Sequence, residues 1–351
     1  MTKILYVCRL FSGLEESIDK KHWDPTGVPT IYKVINKLKH NNKQFKLILT
    51  VKDSYSKLQE NKTKNIDIPG FLLPVTILKG TKHNSNFRLV KNIYREFTQF
   101  LNIIRIYLAF NPQLIYIDNS NIWSAGLISR ITKTPVVFRV MGVYEYMHTL
   151  INKKSPTILE RLLIWLYKSP FKLVVCTQDG SGVENWLKKA IRPNVKTEVL
   201  LNGITDNNNN NSVIPFDDKN TYITFLGKLE FAKGAEQFVR AMISVLEKSK
   251  DSNIIINIIG FGSLRDKLVS LTKNKNFYKH FRFVERLPNK HVLPILKKTD
   301  IYVSLNRAGN ISNANLEAIS ASCCMIIPKS QKKNGIDLYT DKLNYPDQKL
   351  L

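Results

Sequence analysis

Residues 222–242 read YITFLGKLEFAKGAEQFVRAM. An apolar run, 222–226, stops at Gly227, and Lys228, Lys233 and Gly234 follow. Phe238, Ala241, Met242, Val245 and Leu246 then recur at the spacing of one helix face. A strand, a glycine turn carrying lysines and a helix start together suit an anion. The unpaired N–H groups of a first helical turn and the positive end of its dipole face whatever lies ahead of them. A lysine adds a compact charge on a flexible stem. The same pattern also fits an ordinary strand–loop–helix with solvated lysines, so the loops downstream have to decide.

Three further loops follow expected strands in this half. The first, IIGFGS over 258–263, sets Gly260 and Gly262 between strand and helix. This is a weak signal, short of a dinucleotide fingerprint. The second carries Glu285, Arg286 and Leu287. The third, RAGNISNANLEAIS over 307–320, sets Gly309, Asn310, Ile311, Ser312 and Asn313 ahead of a helix, with Glu317 in its first two turns. Ser312 or Asn313 suits an N-cap. Exposed amides there can hold a phosphate. Glu317 can accept hydrogen bonds from sugar hydroxyls, or merely complement the dipole near a helix start. Near the N-terminus, Gly27 precedes the helical pattern TIYKVINKL, where it either admits a ligand close to the backbone or serves the loop alone. The chain has no Asp-x-Asp and no histidine pair at ligand spacing, so no metal and no cofactor is expected. Charge developing on a phosphate leaving group would then fall to lysines and a helix N-terminus. No catalytic base or nucleophile stands out.

The elements that must position these residues alternate. Strands are expected at 3–8, 45–51, 113–118, 136–140, 172–177 and 197–201, then at 221–226, 253–259, 281–284, 300–305 and 324–328. Helices are expected at 26–38, 88–110, 122–130, 158–167 and 184–189, then at 236–248, 263–272, 290–297 and 314–320. Residues 9–24 read as an irregular polar segment, and 53–87 as irregular strands. The helix at 88–110 is basic and rich in aromatics; it suits a membrane surface or a core, and the core reading is preferred. An asparagine tract from 206 reads as a linker. The division is therefore 1–205, a linker 206–220 and 221–351. The fold class is α/β, with two Rossmann-like domains facing a cleft and ligands at the strands' carboxyl ends.

Composition narrows the classes. The chain has 351 residues, 43% apolar and 23% charged, enough for two cores. No apolar run reaches the roughly 20 residues that span a bilayer, and the N-terminus lacks a signal-peptide cleavage region. Cys8, Cys176, Cys323 and Cys324 show neither metal nor disulfide spacing, which suits a reducing cytoplasm. The net charge is +25, most of it in the first 203 residues. Such a surface attracts nucleotide, nucleic-acid or lipid phosphates alike. No nucleic-acid module is present, so no specific nucleic-acid partner is expected.

Taken in order, TGVPTIYKVINKL, PVVFRVMGVY, VCTQDGSGVENWL, LLNGI, FLGKLEFAKG, IIGFGS and NISNANLEAIS resemble the retaining glycosyltransferases of the GT-B fold, family 4, over most of 1–330. The resemblance implies a metal-independent transfer of sugar from a nucleoside diphosphate to a glycan or lipid-linked acceptor, with retention. The departing phosphate would help to take the acceptor proton. It implies that Gly227, Lys228 and Lys233 hold the donor diphosphate and that Glu317 binds the ribose. Asn310, Ile311, Ser312 and Asn313 would lie near the phosphates and sugar, with Gly260 and Gly262 on the neighbouring loop. Leu287 would lie beside the base, and Gly27 would face the donor from the first domain. The location implied is cytoplasmic, with peripheral contact to an anionic inner membrane face left open. Three departures stand. Gly309 occupies the place of a second glutamate, Met141 that of a histidine which His148 need not replace, and closing helices are expected to be missing after residue 351. They keep open an alternative, an inactive binding or scaffold subunit.

Overall fold

The structure, a computed structural model, describes residues 2–328 apart from 21, 24, 42–43, 53–61, 69–70, 81–87, 205–211, 250–252, 286 and 307–310. The chain divides into two compact units, Met1–Leu201 and Asn202–Leu351. Residues 205–211 of the asparagine tract, together with Gly309 and Asn310, lie outside the described residues.

The first unit holds strands β1 (Lys3–Arg9), β2 (Gln44–Thr50), β3 (Lys62–Ile68), β4 (Phe71–Leu78), β5 (Leu114–Asp118), β6 (Val136–Val140), β7 (Leu173–Thr177) and β8 (Lys196–Leu200). They form one sheet in the order β3-β4-β2-β1-β5-β6-β7-β8. Every pairing is parallel except β3 with β4. Helices are α1 (Ser12–Asp19), α2 (Pro29–His40), α3 (Arg88–Phe110), α4 (Ile122–Ile131), α5 (Glu145–Asn152), α6 (Ile158–Tyr167) and α7 (Val183–Ala190). Five central residues of β1, Ile4–Cys8, are buried in an unbroken run, because helices cover both of its faces. Leu5 and Val7 point into a core with α3 to α7. Tyr6 and Cys8 point into the other, with α1 and α2.

One expectation needs correction here, and two are met in part. The polar segment 9–24 contains α1, which buries Leu14 and Ile18. Two apolar residues one turn apart were too few to show a period. Residues 53–87 contain β3 and β4, an antiparallel pair at the sheet edge. Finally, α3 is not a core helix all round. Ile103 is buried and Phe100, Ile104 and Tyr107 pack on the core, while Val90, Tyr94, Phe97 and Leu108 stand exposed.

The second unit holds β9 (Thr221–Leu226), β10 (Ile254–Ile259), β11 (Phe281–Val284), β12 (Ile301–Val303) and β13 (Cys324–Ile326). They are all parallel, in the order β11-β10-β9-β12-β13. Helices α8 (Ala235–Lys248), α9 (Arg265–Asn274), α10 (Val292–Leu296) and α11 (Asn313–Ser320) flank the sheet. The face of α8 expected from its spacing packs only in part: Phe238, Met242 and Leu246 are buried, but Ala241 and Val245 are exposed, and Val239 and Ile243 complete the buried face against Phe225 and Ile256. Cys8, Cys176 and Cys323 are buried free thiols, and Cys324, at the start of edge strand β13, is exposed. Among the described residues no helix is long and apolar enough to cross a membrane.

Candidate functional site

Because all five strands of the second sheet run the same way, every loop leaving a strand lies on one edge. The strand order reverses between β9 and β12, where the loops diverge and leave room for a ligand. The loop after β9 closes in a 3-10 turn, Phe231–Lys233, and passes through Gly234 at φ 72° into α8. A Cβ on Gly234 would sit 2.5 Å from Leu305 Cβ, so only glycine lets this loop lie against the end of β12. Lys233 Nζ donates to Asn306 Oδ1 at 3.2 Å, which spans the reversal. Burial lowers the Lys233 pKa, and the charge of Lys228 lowers it further. The two ammonium groups therefore feel one another, and an anion seated between them would relieve both effects.

The glycines of the next loop hold this arrangement. Gly260 has φ 149°, and a Cβ there would lie 1.8 Å from Gly227 O. A Cβ on Gly262 would lie 2.4 Å from Leu229 O. Leu229 N donates to Phe261 O at 2.9 Å, and Leu264 N to Leu229 O at 3.0 Å. The backbone-to-backbone approach thus occupies Gly260 and Gly262. Glu230 fastens the same two loops. It accepts from Ser263 N at 3.1 Å and Ser263 Oγ at 2.8 Å, and these bonds hold its carboxyl below the ordinary range.

Across the reversal, Ser312 is the N-cap of α11. Its hydroxyl accepts from Asn315 N at 3.2 Å and donates to Asn315 Oδ1 at 2.6 Å. Tyr302 OH donates to that same oxygen at 3.2 Å, and Asn202 Nδ2 to Asn313 Oδ1 at 2.7 Å. Ile311 is buried in the adjoining core. Glu317 is only 6% exposed and accepts from Asn289 Nδ2 at 3.1 Å. A carboxylate so placed is not a solvated partner for the helix dipole. Leu287 lies half-buried just past β11 on the same edge. Asn306 and Asn289, which hold Lys233 and Glu317, sit in no apolar period and no motif of the sequence.

In the first unit, Gly27 has φ 66° with nothing within 4 Å of where a Cβ would be. Val28 follows at φ 31°, a left-handed conformation rare for a β-branched residue, and Pro29 opens α2. Thr30 Oγ1 lies 3.5 Å from Met141 Sδ, so the start of α2 lies beside the end of β6. His148 Nε2 is 2.7 Å from Ser181 O and is engaged within its own unit. The first sheet also reverses its order, between β1 and β5. There Asp118, which the sequence reading passed over as a strand end, accepts from Arg9 N at 2.8 Å and Asn121 Nδ2 at 2.7 Å. Burial pushes its carboxyl pKa up.

The second sheet is parallel throughout, the first is parallel but for its edge pair, and each reverses its strand order once, as in the GT-B fold. Residues 206–332 match the family Glycosyl transferases group 1. A relative in Caldanaerobacter subterraneus subsp. tengcongensis is 25% identical over 281 residues, 78% of this chain and 70% of its own. It is a UDP-N-acetylglucosamine–N-acetylmuramyl-(pentapeptide) pyrophosphoryl-undecaprenol N-acetylglucosamine transferase. Among solved structures, sucrose-phosphate synthase from Thermosynechococcus elongatus superposes with a TM-score of 0.65 at 10% identity, over 93% of this chain and 81% of its own. Anabaena HepE in complex with UDP and glucose superposes with a TM-score of 0.57 at 13% identity, over 95% and 82%.

Proposed function

We propose that this protein is a glycosyltransferase that moves a sugar from a nucleoside-diphosphate sugar to a glycan or lipid-linked acceptor, with retention and without a metal, and that the donor lies on the carboxyl edge of the second sheet. The observation that carries the reading is Lys233, half-buried at the strand-order reversal, mutually repelled by Lys228 and tied to Asn306. A diphosphate is the ligand whose charge this pair matches. The free N–H groups of α8 and α11 add fixed partial charges nearby. Glu317, buried and steadied by Asn289, suits the ribose hydroxyls, and Leu287 suits the base. The activity of the Caldanaerobacter relative supports a donor of the UDP-sugar type and an acceptor on a polyprenyl pyrophosphate. The UDP bound in the Anabaena neighbour supports the same donor class.

During transfer, negative charge builds on the departing diphosphate. Fixed cations that need no reorganisation lower that barrier without a metal. Retention follows if the departing phosphate, held on the sugar's donor face, also takes the acceptor proton. Glu230, Glu285 and Glu317, carboxylates on this edge, are each engaged, Glu230 by Ser263, Glu285 by Arg265 and Glu317 by Asn289, which supports leaving that role to the phosphate. The test is a panel of nucleotide sugars, with released nucleoside diphosphate measured and the product's anomeric configuration read by NMR. Wild-type chain should release nucleoside diphosphate from one donor class. Lys233→Ala and Glu317→Ala should both lose donor binding. Unchanged binding in both variants would remove the site, whereas an inverted product would remove retention alone.

A further inference from the structure

We infer that the outer edge of β8 is a dimer interface, on which a second copy of this chain pairs antiparallel about a twofold axis through Thr197. β8 ends one side of the first sheet. It pairs with β7 and packs against α7, and among the described residues no strand adds to its other edge. Leu200 O accepts from Gln178 N at 2.8 Å, so Leu200 turns its backbone groups toward β7. Direction alternates along a strand, so Lys196 and Glu198 do the same, while Thr197 and Val199 turn theirs outward. An open row of donors and acceptors is a template for another strand, and natural edges are blunted by proline, bulges or unmatched lysines. β8 has no proline, keeps an unbroken register with β7, and carries a glutamate two residues after its lysine.

The order of charges selects the occupant. Lys196 and Glu198 lie on one face of the strand, their side chains 71% and 42% exposed, with Lys196 Nζ 3.1 Å from Glu198 Oε1. Antiparallel pairing centred on Thr197 sets Lys196 opposite the partner's Glu198, and Glu198 opposite the partner's Lys196. These are the close, non-hydrogen-bonded positions, about 4.5 Å apart at Cα, where opposite charges stabilise a sheet. The charges then alternate in sign around the axis. Thr197 exchanges both of its backbone hydrogen bonds with its own copy, and Val199 N–H meets the partner's Val195 carbonyl. An axis through Glu198 instead would set two glutamates face to face, which like charges disfavour. Beyond the charges, Leu200 and Leu201 are 52% and 45% exposed. The pairing brings Leu201 to the partner's Pro193 and covers apolar surface that the single chain leaves in water. Opposing it is the net charge of +25 on each copy, whose reach is screened to about 8 Å at physiological ionic strength. A strand of another sequence fits this edge only by repeating its charge order, a condition that a second copy meets by symmetry. The inference uses the first unit alone and is independent of the donor reading.

The experiment is sedimentation equilibrium of the full chain at physiological salt, where the wild type should be a reversible dimer. Lys196→Glu and Glu198→Lys should each raise the dissociation constant by about tenfold or more, since each turns both pairs across the axis into like charges. Lys196→Glu combined with Glu198→Lys restores the order in reverse and should return the constant to within about threefold of wild type. Thr197→Pro should abolish the dimer, because it removes the amide donated at the axis. The charge variants alter exposed side chains and should melt with wild type by circular dichroism, so they decide the matter even if the proline variant fails to fold. Nucleoside-diphosphate binding should not change in any charge variant. A wild-type chain that stays monomeric up to about 100 μM overturns the inference. So does a dimer that the single reversals leave intact, and so does one that the double exchange fails to restore.

Discussion

At the scale of single residues, the candidate donor site turns on Lys233, whose charge the fold disfavours. Folding lowers the Lys233 pKa below its ordinary 10.5. Between the lowered and the ordinary value the unfolded chain binds more protons, so the unliganded protein should gain stability from this group as pH rises through that window. A bound diphosphate reverses the preference, because it favours the ammonium. Affinity for nucleoside diphosphate should therefore fall at a lower pH than an ordinary lysine would give. In Lys233→Arg the fall should vanish, which calorimetry across the alkaline range would reveal. Lys233→Ala at neutral pH should weaken binding by roughly ten- to a hundredfold, the worth of one charged hydrogen bond. Lysine and glutamate types beside glycine turns are what make Lys228, Lys233 and Glu317 visible in the sequence. Asn289 and Asn306 are invisible there, since their roles exist only once loops from β11 and β12 approach their partners.

At the scale of elements, the loops after β9 and β10 form one body, and their glycines are its hinge-less joints. Gly260→Ala would drive a methyl into Gly227 O in a conformation that disfavours any side chain, and should cost more than about 2 kcal/mol in denaturant unfolding. Gly234→Ala should behave alike against Leu305. By contrast Gly27→Ala meets no neighbour and should cost only the backbone penalty, about 1 kcal/mol. Chemical denaturation of the three variants side by side would check this ranking. The sequence carries the strand–helix alternation strongly because parallel strands buried on both faces become unbroken apolar runs, as in β1. It carries α1 and α5 poorly, since each buries only two large apolar side chains, Leu14 and Ile18 in the first and Met147 and Leu150 in the second. It says equally little about α3, where apolar residues circle the whole helix and periodicity cannot distinguish core from uncovered surface.

At the scale of the whole molecule, the net charge of +25 acts on every polyanion nearby. Binding to random duplex DNA should be measurable at low salt and should drop steeply as salt rises, without preference for sequence. Nucleoside-diphosphate binding should fall less over the same salt range, because half-buried Lys233 is screened less than a dispersed surface charge. Fluorescence anisotropy with both ligands would separate general attraction from a built site.

The cysteines give the second unit a reporter of its own. Three thiols are enclosed by packing, while Cys324 opens strand β13 at the outer edge of the sheet. Its neighbour β12 leads directly to Asn306 and then to α11. A maleimide dye should therefore attach to the folded chain at one position without any engineered handle. Its emission would follow nucleotide occupancy in real time, and a second equivalent of dye would enter only once the protein had begun to unfold.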